Sequence, residues 1–109
     1  MLDNQNFRAF AGATKELHIT LTEDSSPLNL LNAVLVWVLK ETPVSPTLIE
    51  KGMGDFVITD NIVEFVLTPA ETANLVDGDY YHEMAMEDVL GNVTVLLRGT
   101  ATIERSGAL

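Results

Sequence analysis

Two histidines, His18 and His82, and no cysteine bound the chemistry open to this chain, since thiolate nucleophiles, thiolate metal sites and disulfides all drop out. His82 lies in Tyr80-Tyr81-His82-Glu83-Met84, and on an extended strand it shares a side with Tyr80, Met84 and Met86. A general base needs an orienting carboxylate and a group to deprotonate. No serine in an elbow-like setting accompanies His82, so it reads as a hydrogen-bonded residue at the margin of a core. Asp55, Asp60, Asp77, Asp79, Glu87 and Asp88 gather near turns. Asp77-Gly78-Asp79 has the clustered oxygens that calcium favours, but the long ligand loop with its distal glutamate is missing. Aspartate also stabilises turns by bonding to nearby backbone, which is reason enough for these positions. Gly52-Met53-Gly54 has neither the Lys and Ser/Thr nor the helix of a phosphate loop. Asn92-Val93-Thr94 fits a glycosylation acceptor, yet Met1 to Phe10 shows no secretory leader to make it relevant. No catalytic residue, cofactor or metal site is therefore assigned, and the expectation is a protein that is not an enzyme.

The surface narrows the partners. Sixteen acids against six bases give a formal charge of −10, which repels phosphate backbones, and no basic cluster overrides it. Nucleic acid is not an expected partner. The longest apolar run, Ala33 to Leu39, is too short to cross a bilayer, so no membrane is expected either. With 47% hydrophobic residues the chain is no disordered tail. Its length suits one domain, residues 1–109, with enough surface to bury without a covalent staple.

The elements follow from alternation. Thr14 to Thr22 places Leu17, Ile19 and Leu21 on one side and His18, Thr20 and Thr22 on the other. Ala33 to Lys40 is a β-branched strand, Thr47 to Lys51 a short edge strand, and Phe56 to Thr59 another brief one. Asp60-Asn61 turns tightly into Ile62 to Leu67, while Asn6 to Phe10 is a weaker strand. Thr68-Pro69-Ala70-Glu71 has a capping residue, proline at the first helical position and glutamate three residues after the cap, predicting a short helix through about Leu75. Asp77-Gly78-Asp79 then reverses the chain into a long strand, Tyr80 to Glu87. Asp88 to Asn92 forms a hairpin loop, and Val93 to Glu104 is the last strand. Gly99 within it suggests a bulge or a close backbone approach, with a bend there. The expected core holds Leu17, Ile19, Leu21, Leu35, Trp37, Leu39, Val63, Phe65, Leu67, Tyr80, Met84 and Ile103.

About seven or eight short strands with one helical turn near 69–75 describe an all-β fold, a two-sheet sandwich. Tyr80 just after a corner, with Trp37 on an earlier strand, resembles the immunoglobulin-like form of that sandwich, without the disulfide of antibody domains. A wider pattern supports the likeness. It includes Leu17-His18-Ile19-Thr20-Leu21-Thr22, Leu30 to Lys40 with Trp37, Gly54-Asp55, Ile58-Thr59-Asp60 and Val66 to Ala73. It closes with Gly78 to Glu83, Asp88 to Gly91 and Leu97-Arg98-Gly99-Thr100. This order resembles the immunoglobulin-like domains of tailed-phage virion proteins, found near the start of baseplate and upper tail-fibre proteins and as short stand-alone structural proteins. The resemblance implies a non-enzymatic assembly module of the tail, baseplate or neck region, from a phage or prophage. Such a protein is made in the host cytoplasm and then built into the virion, beside other virion subunits or copies of itself.

One stretch departs from the expected pattern. On the strand of Trp37 the opposite face is Val34, Val36, Val38 and Lys40, where polar residues would alternate in a solvated sheet. Either the loop from Pro43 to Pro46, or another part of the chain, covers these valines, or they form a subunit interface, because soluble monomers seldom leave wide apolar patches bare. We take Val34, Val36, Val38 and Lys40 as the candidate interface. An accessory carbohydrate-binding sandwich is the alternative, with Tyr81 as the one aromatic on which a sugar would stack.

Overall fold

The computed structural model describes residues 1–108. Period-two alternation produces strands β1 (Phe7–Ala11), β2 (Lys15–Thr20), β3 (Thr22–Glu23), β4 (Ser26–Pro27), β5 (Val34–Lys40) and β6 (Thr47–Lys51). After a 3-10 turn at Met53–Asp55 come β7 (Val57–Thr59), β8 (Ile62–Leu67), helix α1 (Pro69–Thr72), β9 (Gly78–Glu87) and β10 (Val93–Arg105). One sheet has the order β1-β10-β9-β5-β6 and the other β2-β8-β7, with β3 and β4 forming a small ribbon. Every pairing is antiparallel except β1 with β10. The chain is an immunoglobulin-like β-sandwich.

Its core lies between the inner faces of the two sheets. All the expected core residues are buried except Ile19, which is half-buried against the rest. Trp37, fully buried on β5, sets its ring 5.0 Å from that of Phe65 on β8, joining the two sheets. A ring of this size supplies a large share of core contact area.

The corner between the sheets is tied down locally. The Thr68 hydroxyl accepts from the Glu71 amide at 3.3 Å, and the Glu71 carboxylate accepts from the Thr68 amide at 2.9 Å, with Pro69 opening the helix. The helix is shorter than its sequence predicts. It ends at Thr72 because Leu75 must turn inward, where it is buried. Lys51 of β6 buries its stem and places Nζ 2.7 Å from both Glu71 oxygens, holding α1 to the larger sheet. Burial raises the Glu71 pKa, but the Lys51 and Thr68 hydrogen bonds outweigh it and hold the carboxyl below its usual value. The Tyr80 hydroxyl donates to the Val76 carbonyl at 2.6 Å, closing a tyrosine corner.

Thr22 to Pro27 is the β3–β4 hairpin, whose Asp24 and Ser25 have φ of 50° and 66°, as a type I′ turn requires. The irregularity of β10 lies at Leu96, between Val95 and Leu97, and not at Gly99. Gly99 pairs in register with His82, and its value is close approach: a Cβ there would collide with the backbone of Gln5.

Candidate functional site

Strand β5 meets the core with Leu35, Trp37 and Leu39, so Val34, Val36, Val38 and Lys40 fall on the outer side by simple alternation. Val34 is 56% exposed, while Val36, Val38 and Lys40 are half-buried among their sheet neighbours. The loop from Pro43 to Pro46 does not cover them. It runs beyond the Lys40 end of the strand, and Val44 in it is almost fully exposed.

Register decides what surrounds the valines. Across the sheet one row reads Val93, Glu87, Val34 and the next Val95, Ala85, Val36. The third reads Arg98, Glu83, Val38, Glu50, and the fourth Thr100, Tyr81, Lys40, Thr47. The second row is apolar throughout, and Val34 and Val38 flank it along β5. Val93 and Val95 are outward only because of the bulge at Leu96. Both Leu96 and Leu97 turn inward, which shifts the phase of alternation between the two halves of β10. Glu50, Glu83, Glu87 and Lys40 surround the apolar row, so the face has an apolar centre and a charged rim, as protein interfaces do.

Ile62 and Val66, though exposed and apolar, do not extend this patch. They belong to β8 and lie on the outer face of the smaller sheet. Ala85, Val93 and Val95 are the members that sequence reasoning missed. Ala85 was available from the alternation of β9, opposite the buried Met84, whereas simple parity with Leu97 would have put Val93 and Val95 inside.

The other candidates have structural partners. His82 is buried, accepts at Nδ1 from the Trp37 indole N–H at 3.1 Å, and lies with Nε2 2.5 Å from the Gln5 carbonyl oxygen, to which it donates. Both ring nitrogens are used, and burial pushes its pKa below the ordinary value against the opposing pull of the Gln5 carbonyl. Tyr81 is half-buried and its hydroxyl donates to Glu83 at 3.3 Å. Its pKa is raised by burial and by the Glu83 charge. Asp77 pairs with Arg105 at 3.7 Å and Asp79 accepts from the Thr102 hydroxyl at 2.8 Å. Asp88 accepts from the amides of Asn92 and Leu90 across its loop, which lowers its pKa. No group of three or more potential metal ligands occurs among the described residues.

No family model matches the chain, and no curated protein does. Among solved structures, that of murine CRIg is similar at 11% identity and a TM-score of 0.46, over 94% of this chain and 92% of that one. The assignment of the fold rests on the sheet order, the buried Trp37 and the Tyr80 corner.

Proposed function

We propose that this is a non-enzymatic structural protein of a tailed phage or prophage, an assembly module of the tail, baseplate or neck region. It works by burying the outer face of its five-stranded sheet against neighbouring subunits after synthesis in the host cytoplasm. The observation that carries the interaction role is the unbroken row Val95, Ala85, Val36, flanked by Val34 and Val38 and left open by the chain's own loops. Three outward valines at about 1.5 kcal/mol each, once covered, are enough to steer a modest contact. The virion setting is supported by the order of sequence features from Leu17 to Thr100. The test is co-expression with the products of the adjacent genes, followed by sizing and electron microscopy of any particle formed. The parent chain should enter the particle, and a folded Val36→Lys chain should stay out. Entry of both at equal occupancy would remove the face from the assembly.

A further inference from the structure

We infer that the occupant of this face is a second copy of the chain, docked with its strands running opposite to those of the first. The inference rests on the interface reading above and specifies its partner. A two-fold contact is isologous, so the four rows must meet themselves, and few arrangements are open. If the axis ran along the strands through β9, Glu83 would stack on Glu83 and Glu87 on Glu87. If it ran along β5, Lys40 would meet Lys40 and Glu83 would meet Glu50. Like charges directly opposed reject both, and an axis between β9 and β5 would press Glu83 on Val38 and Glu87 on Val34, burying both carboxylates against valine.

With the axis crossing the strands between the second and third rows, the conflict disappears. The row of Val34 lies on the second copy's row of Lys40, and the row of Val36 on the row of Val38. Val36 then meets Val38, and Val95 meets the stem of Arg98. Ala85 leaves room for Glu83, and Glu87 faces Tyr81. Lys40 comes down over the second copy's Val34, one strand spacing of about 5 Å from Glu87 and within reach of its carboxylate. The two-fold makes each such pair twice. Lys40 is the cation each copy brings to the contact, since Arg8 and Arg98 are already paired with Glu104 and Asp3.

The test is sedimentation equilibrium of the full chain, with circular dichroism to confirm that each variant is folded. The parent should form a reversible dimer. Lys40→Glu and Glu87→Lys should each weaken it about tenfold, and the chain carrying both should recover to within about threefold, because the pair is merely exchanged. A dimer with its axis along β9 gives a different result: residue 87 meets its own copy whether it is glutamate or lysine, so Glu87→Lys alone leaves association nearly unchanged and the double variant shows no recovery. That result, or a parent that stays monomeric at high micromolar concentration, overturns the self-pairing. A monomeric parent whose entry into particles still depends on Val36 would overturn only this inference, whereas a parent dimer indifferent to Val36→Lys would overturn the face itself.

Discussion

The two sheets both expose branched aliphatic side chains, valines on the larger and valines with Ile62 on the smaller, but they do so differently. On the smaller sheet Val66 lies beside Glu16, Val57 beside Glu64, and Ile62 between Thr20 and Thr59. Each apolar side chain there has polar cross-strand neighbours. On the larger sheet Val36 has Val34, Val38 and Ala85 around it, with Val95 next in the row. The residue types and degrees of exposure are similar, so the distinction is register. Singly exposed apolar residues are ordinary on any protein, while a contiguous group marks a contact.

That comparison holds only while the two sheets keep their packing, and the largest effects test this first. Trp37→Ala empties the centre of the sandwich and should cost about 3–5 kcal/mol in urea unfolding. A small loss would place Trp37 outside the core and turn the valines inward. His82→Gln should cost about 1–3 kcal/mol at neutral pH by weakening the tie between Trp37 and Gln5. It also carries a pH signature. The folded pKa of His82 lies below its ordinary 6.5, so the unfolded chain takes up the proton first. The stability is full above 6.5 and declines as pH falls toward the folded value. Urea midpoints should therefore drop between pH 7 and pH 5 in the parent and hold steadier in His82→Gln; parallel curves would assign the acid sensitivity to other groups.

Thr68→Ala should cost about 1 kcal/mol, since one cap amide loses its acceptor where the sheets are joined. Equal thermal midpoints for variant and parent would show that the Lys51–Glu71 pair alone holds the corner. The smallest stability changes fall on the two outer faces. Val36→Lys and Ile62→Lys should each stay within about 0.5 kcal/mol of the parent in unfolding, as surface substitutions do. In sedimentation they part: Val36→Lys should weaken association by about tenfold or more, and Ile62→Lys should leave it unchanged. If both weakened it equally, the contrast between the faces would be false.

Much of this was legible in the residues. Val34 to Lys40 alternates around Trp37 and shows its outer side directly, because a strand's period is fixed at two. Thr68-Pro69-Ala70-Glu71 names its own cap, and Tyr80 its own corner, since each depends on bonds to backbone a few residues away. What was hidden depends on long-range partners. The phase shift at Leu96 arises where β10 pairs with β9, and nothing in Val93 to Leu97 alone marks the extra residue. Sheet membership put Ile62 and Val66 on the wrong side of the sandwich for the patch, and spacing along the chain does not carry that information. Gly99 was rightly seen as special, but its partner Gln5 is remote in sequence and invisible from it.

Lys51 has a consequence beyond the corner it fastens. It ends β6, one of the two free margins of the larger sheet, where unpaired backbone groups invite another chain to add itself and begin a fibre. An inward ammonium beneath that margin is tied to Glu71, and Pro46 stands just before the strand. A would-be sixth strand thus finds a short run stopped at one end by a residue with no amide hydrogen and underlain at the other by a buried charge. At high concentration, chains so guarded are kept from adding to one another along β6.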